Sequence, residues 1–387
     1  MSLKKAAQVG LLLGTALAVA GPVSAQVRPL QLGDATEAGS VIVFPKFING
    51  TVSLPEGTVA PITELNVGVV CPKGVTCAEH QPVKIRFHWV CGTTEANEAG
   101  SFICPEVNFD VTATVWEKIV LVPGGNFPNI STKAVPPAPC PAGYLIGWVI
   151  TPSSDTPIKF DALVGDADLR PGTVVDGAGA PNPFAGSPQS FASYQALPIQ
   201  ADPALPSGAP VQTNLNGALL FDGAAGHYQA VTGQVMGDVR YTNLTTGPTF
   251  ALGALTLLTL DVKSNRPNNA VFVDLDFFGG NPSLIGNENP LSTSTEFICW
   301  GEFPLSTLAG GDLTTALMGR KGVFLSGQAT KVGLFGIQDE TGPTSLIGLV
   351  ETFEGGVFPP VGPWPRVSFS GLFNSSVPSP THFLPSH

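Results

Sequence analysis

Two segments of this chain alternate apolar and polar side chains without a break, and that pattern admits few folds. In residues 83–90, Val83, Ile85, Phe87 and Trp89 fall on one face, and Lys84, Arg86 and His88 fall on the other. In residues 106–115, Val107, Phe109, Val111, Ala113 and Val115 alternate with Glu106, Asn108, Asp110, Thr112 and Thr114. Successive side chains of an extended strand point to opposite sides, so each segment reads as an antiparallel strand with one buried face. The polar row of the first is basic and that of the second partly acidic. Paired as a hairpin, they would set Lys84 and Arg86 against Asp110 or Glu106.

The rest of the chain supplies short apolar runs between turn residues, with 45 Gly and 37 Pro in 387 positions. Many short strands and almost no helical period imply sandwiches or a barrel. A membrane barrel wants long alternating segments and aromatic girdles. Four Tyr and 37 Pro argue against one. The two halves also echo each other. Residues 145–151 (LIGWVIT) match 346–352 (LIGLVET) at five of seven places, 63–70 resemble 255–262, and 83–90 resemble 270–278. Shared order along the chain points to duplication.

The fold expected is therefore all-β: two sandwich-like antiparallel domains from internal duplication, residues 26–170 and 226–356, with a Pro/Gly-rich connection at 171–225. Residues 171–212 hold eight Pro and five Gly, with Asp176 and Asp202 the only charges. Such a stretch reads as an extended linker or long surface connection. Short helices are expected at 190–197 and at 312–318, the latter capped by Asp312 and stopped by Gly319. Residues 357–387 read as a Pro/Phe-rich tail without a long alternating strand.

Residues 1–25 have the form of a secretory signal peptide. Lys4 and Lys5 precede an apolar run over 6–20, Gly21 and Pro22 end it, and Val23-Ser24-Ala25 is a small-residue cleavage site. The run is shorter than the ~20 apolar residues a membrane span needs, and no later run replaces it. Removing 25 of 387 residues leaves 362, and the loss of two lysines takes the formal charge from −11 to −13. That balance argues against nucleic acid or anionic lipid as a partner, because both need a basic footprint. Only 12% of residues are charged against a usual ~25%, which suits a protein packed among its own kind or in a matrix.

The six cysteines, Cys71, Cys77, Cys91, Cys104, Cys140 and Cys299, all follow the leader. An even count in an exported chain reads as disulfides, and the spacings fit no zinc pattern. Short loops favour Cys71–Cys77 and Cys91–Cys104, leaving Cys140–Cys299 to join the halves. Parity qualifies the second pair. Cys91 continues the inward row of its strand, whereas Cys104 continues the outward row of the next. A bridge between them would have to lie off the regular ladder.

No nucleophile elbow, zinc-protease helix or phosphate loop occurs. Asp166 and Asp168, and likewise Asp274 and Asp276, are i, i+2 carboxylates that could share a calcium ion, though outward polar strand residues read the same way. Trp89 and Trp148 lie in apolar registers and read as core. Trp116, just past an alternating strand, and Trp364, between two prolines, are the candidates for a ligand or interface contact. The function expected is an exported, non-enzymatic structural or interaction protein that needs no cofactor. It would act at the cell surface, in the extracellular space or in a periplasm, associating with itself or other surface components. The alternatives are a secreted glycan- or calcium-binding module and a secreted hydrolase.

Overall fold

The computed structural model describes residues 36–49, 52–54, 57–59, 62–92, 104–125, 131–170, 192–213, 217–231, 234–239, 252–260, 271–279, 292–298, 300–304, 323–330, 346–357, 363–371 and 373–374. Every regular element among them is a strand, and there is no helix. The first eleven are β1 Val41–Ile48, β2 Val52–Leu54, β3 Gly57–Val59, β4 Ile62–Val69, β5 Pro82–Cys91, β6 Glu106–Thr114, β7 Lys118–Leu121, β8 Ala142–Ile150, β9 Leu163–Arg170, β10 Ala192–Gln195 and β11 Leu197–Ile199. Nine more follow: β12 Gln234–Val239, β13 Leu252–Thr259, β14 Val271–Gly279, β15 Ser292–Ile298, β16 Trp300–Pro304, β17 Val323–Thr330, β18 Leu346–Val357, β19 Pro363–Gly371 and β20 Phe373–Asn374.

All pairings are antiparallel. A five-stranded sheet runs β11-β1-β8-β5-β6, and a four-stranded sheet runs β10-β9-β4-β7. A second five-stranded sheet runs β15-β14-β17-β12-β20, and a second four-stranded sheet runs β16-β13-β18-β19. β2 and β3 form a separate hairpin. The two sets have one strand order. β12, β14, β15, β17 and β20 take the places of β1, β5, β6, β8 and β11, while β13, β16, β18 and β19 take those of β4, β7, β9 and β10. Chain order is kept throughout. Two of the sequence likenesses fall on equivalent strands, β4 with β13 and β5 with β14. The L-I-G likeness does not, because β8 corresponds to β17 and β18 to β9.

The β5–β6 hairpin forms in the register the alternation requires, with Arg86 opposite Asp110 and Phe87 opposite Phe109. Val83, Ile85, Phe87 and Trp89 join Leu65, Val67, Ile119, Leu121 and Leu163 from the facing four-stranded sheet in one buried cluster. That is a sandwich core, each sheet contributing alternate residues. The other face of the five-stranded sheet is buried too over β11, β1, β8 and the end of β5, whereas the polar row of β5 and β6 on that face stays partly exposed. Val41, Val43, Val90, Tyr144, Ile146 and Trp148 pack there with Val211, Leu219, Phe221 and Tyr228, and with Leu258, Trp300 and Ile347. Covered on both faces, β1 and β8 are apolar almost throughout, as strands in that position must be.

The helix expected at 190–197 is a strand instead. β10 pairs with β9, and Tyr194 and Ala196 are buried while Ser193 and Gln195 are exposed. That is period two, which a short apolar segment does not distinguish from helix when it is read by composition. The candidate helix at 312–318 lies outside the described residues. Within the C-terminal stretch, β19 pairs with β18 over nine residues. Its prolines, Pro363 and Pro365, stand at the start of an edge strand, where proline is tolerated best.

The disulfides follow the sheet rather than the loops. Cys71–Cys77 forms as expected. Cys91 is bonded to Cys140, which corrects both Cys91–Cys104 and Cys140–Cys299. β5 and β8 are neighbours with Cys91 opposite Gly143, so the segment entering β8 carries Cys140 past Cys91. Cys104 faces the opposite way, into the cluster on the far side of the sheet, as the parity of the two strands demands. Closing the 49-residue separation from Cys91 to Cys140 contributes about 4 kcal/mol in the chain-entropy model.

On the hairpin's polar row, Arg86 grips Asp110 through Nε (2.9 Å) and Nη2 (3.1 Å), and Lys84 reaches Asp110 at 3.0 Å and Asp155 at 2.8 Å. Hydrogen bonds from Arg86, and then Lys84, hold the Asp110 carboxyl below its ordinary value, against the opposing effect of burial. A carboxyl depressed in this way adds stability above its unfolded value of 3.8 and loses it as pH falls through the folded one. Asp110→Asn should therefore lower the melting temperature by about 1–2 °C near pH 7 and leave it unchanged near about pH 2. A difference that persisted in acid would mean that Asp110 acts by packing, not charge. Gly143 is tested separately. A Cβ there would overlap the Val90 carbonyl oxygen across the β5–β8 ladder, so Gly143→Ala should cost ~2 kcal/mol or more by denaturant titration.

Candidate interaction site

Between β6 and β7 the chain reverses over Thr114, Val115, Trp116 and Glu117. Glu117 N–H donates to the Thr114 carbonyl at 2.9 Å and closes the turn. Val115 is buried in the sandwich core, whereas Trp116 is 71% exposed. Trp116 has φ of +74°, a left-handed conformation that turns ordinarily reserve for Gly or Asn. A bulky residue there costs on the order of 1–3 kcal/mol, so its surroundings must hold it.

They do. Trp116 N–H donates to the Val69 carbonyl at 2.6 Å, and Val69 N–H donates back to the Glu117 carbonyl at 2.9 Å. Val115 N–H donates to the Gln81 carbonyl at 2.9 Å. The Glu117 carboxylate turns inward, accepting from Thr114 N–H at 2.8 Å and meeting Lys133 Nζ at 2.6 Å. Burial opposes ionisation of Glu117, but the hydrogen bonds from Lys133 and Thr114 outweigh it and hold the carboxyl below its usual range. Val69 and Gln81 lie on either side of the Cys71–Cys77 loop, which fixes the ground beside the turn. The result is a rigid mount for one exposed indole. It is the only exposed large hydrophobic side chain among the described residues.

The other sequence candidates separate into different places. Asp166 and Asp168 stand on β9 and share a single partner, Asn66 Nδ2, at 2.9 and 3.3 Å. Asn66, opposite Asp166 on β4, is a participant the sequence did not advertise. Nearby Asp161 is not part of this set. It is half-buried, accepting from Ser40 Oγ at 2.6 Å and Ala201 N–H at 3.0 Å, and burial raises its carboxyl above the ordinary value. Asp274 and Asp276 lie on β14 in another sheet, opposite Thr295 and Thr293. Among the described residues, no three His, Cys, Asp or Glu side chains are placed to hold a metal ion. β19 carries Trp364 opposite Gly356; its side chain lies outside the described residues.

The histidines are engaged by carboxylates. His88, expected on an outward face, is buried by the second layer. It pairs with Glu106 at 3.1 Å and packs on Trp148 with ring centroids 4.8 Å apart. His227 pairs with Asp222 at 2.7 Å. Among the described residues, no serine hydroxyl hydrogen-bonds either ring. His382 and His387 lie outside the described residues.

No family model matches the chain, and no curated protein matches it. Among solved structures the chain is similar to the viral chemokine binding protein R17 encoded by rodent gammaherpesvirus Peru. The identity is 11% and the TM-score 0.15, with 89% of this chain and 87% of that chain covered. A likeness at that level carries no argument about either fold or function.

Proposed function

We propose that the chain is an exported, non-enzymatic interaction protein of the cell surface or extracellular space, and that it associates with further copies of itself through Trp116. The observation that carries this reading is the mount of Trp116: a 71% exposed indole held in a left-handed turn by hydrogen bonds to Val69, Gln81 and Thr114. Large aromatics that bury on association dominate interface energetics, and a pre-ordered one loses little entropy on binding. A turn that needed only to reverse the chain would be more stable with glycine. Low charge, 12% of residues, favours contact between copies over dispersal. The leader-like residues 1–25 and the disulfides support export. Among the described residues, no helix is long and apolar enough to cross a membrane.

We also infer that the two sets of sheets descend from one duplicated unit. The support is their common strand order, kept in chain order across nine strands each, together with the sequence likeness of β4 to β13 and β5 to β14. The C-terminal residues are part of that plan. β19 and β20 extend the two later sheets, so removing them would cut into both sheets and would not probe association cleanly.

Sedimentation of residues 26–387 over a range of concentrations tests the association. The native chain should form dimers or larger species, and Trp116→Ala should weaken them by about tenfold or more, the ~1.4 kcal/mol expected of an interface anchor. Trp116→Gly should weaken association equally while keeping or raising the melting temperature, because it relieves the turn. A strict monomer at high concentration would overturn the reading. So would an alanine variant that associates like the native chain. A fall in melting temperature with Trp116→Gly would assign Trp116 to stability instead.

A further inference from the structure

We infer that Cys104 and Cys299 form a third disulfide, which locks the second set of sheets onto the first sandwich. Of the six cysteines, Cys71, Cys77, Cys91 and Cys140 are consumed by the two bridges already described. Cys104 is also disulfide-bonded. It is wholly buried, with no exposed sulfur to offer a second copy of the chain. Cys299 is the one cysteine left in the sequence.

Cys299 itself lies outside the described residues, but both of its chain neighbours are described, and they bring the chain to the right place. Ile298 ends β15 and Trp300 opens β16. The Trp300 ring lies in the same buried cluster as Cys104, Val90 and Tyr144. Its Nε1 donates to the Pro45 carbonyl at 2.8 Å. Its six-membered edge lies against Gly92, where an added Cβ would come within 2.9 Å of Trp300 Cε3. Gly92 follows Cys91, Cys91 N–H donates to the Pro105 carbonyl at 2.8 Å, and Pro105 follows Cys104. The described neighbour Trp300 thus shares a buried cluster with Cys104, and the bridge we infer requires a Cα separation of roughly 4.4–6.8 Å.

Forming the bond removes two protons and two electrons from the Cys104 and Cys299 thiols. A thiol–disulfide oxidoreductase accepts them as its own disulfide becomes a dithiol, the exchange an oxidising compartment supplies. The bridge would stand beside two other contacts between the sets. One is the Trp300–Pro45 hydrogen bond, and the other is the ion pair of Lys46, 2% exposed, with Glu302 at 3.0 Å. Docking of the second set would then be covalent and conditional on oxidation.

Peptide mapping of the mature chain under non-reducing conditions tests this on the native protein. Cleavage after glutamate releases residues 99–106 and 297–302, each with a single cysteine. The two should appear as one linked species that separates on reduction. Residues 99–106 linked to a peptide carrying Cys91 or Cys140 would overturn the inference. So would Cys104 and Cys299 both alkylated without prior reduction. A Cys104→Ala, Cys299→Ala variant supplies the second arm. It should retain the other two bridges and expose its second half to protease at least about tenfold faster than the native chain. Equal protease resistance would mean that the bridge, if formed, is not what holds the two sets together.

Discussion

Burial of both faces of the β11-β1-β8 part of the five-stranded sheet is the constraint from which the rest of the structure follows. One face closes the sandwich with the four-stranded sheet. The other receives Ala201, Val211, Leu219, Phe221 and Tyr228, and Leu258, Trp300 and Ile347 of the second set. A sheet in that position cannot keep a polar face, and β8 accordingly carries Tyr144, Leu145, Ile146, Trp148, Val149 and Ile150 in near-continuous apolar order. It also cannot accept bulk where strands approach closely. At Gly143 a Cβ would meet the Val90 carbonyl, and at Gly147 it would meet the Phe87 ring. The buried His88 on the second face is paired with Glu106.

The same constraint sorts the cysteines. In an antiparallel hairpin, opposed residues share a face, and Cys91 is opposed by Pro105. Cys104, one place further on, must therefore face the other layer. Loop length suggested that Cys91 and Cys104 would pair, and strand parity forbade it. Parity is the stronger argument because slipping one residue would invert every buried side chain of the hairpin. The short-loop preference held only at Cys71–Cys77, which lies outside any ladder.

The parts of the fold that the sequence made legible are those in which one face meets solvent. The β5–β6 hairpin, its register at Arg86–Asp110 and its buried row followed from alternation alone. So did the core position of Trp89. Where both faces are covered, alternation disappears and composition misleads. Within the stretch 171–225, whose prolines and glycines read as a linker or long connection, Val211, Leu219 and Phe221 are core. β10 reads as part of a helix in sequence because four residues, Ala192–Gln195, are too few to fix a period. At the candidate site, the exposed indole could be read from the sequence. Its mount could not, because Val69, Gln81 and Lys133 reach the turn from three separate segments.

Pro45 shows how a local irregularity becomes a joint between distant parts. Proline inside a paired strand removes a ladder donor and is tolerated where the pairing is already broken. β1 is broken there: Phe44 opposes Leu145 and Phe47 opposes Gly143, so Pro45 and Lys46 together face one residue of β8. The carbonyls freed by such a bulge must find partners elsewhere, since buried backbone oxygens are costly to leave bare. The Pro45 carbonyl takes Trp300 Nε1 at 2.8 Å, and the Lys46 carbonyl takes the Tyr194 hydroxyl. Lys46 Nζ, turned out of the ladder by the same bulge, meets Glu302. Tyr194 comes from the facing sheet and Trp300 from the second set, so one bulge in an interior strand recruits both neighbouring layers. A regular β1 would have satisfied its own hydrogen bonds within the sheet and offered the second set only an apolar surface, which holds two layers together but does not fix their register.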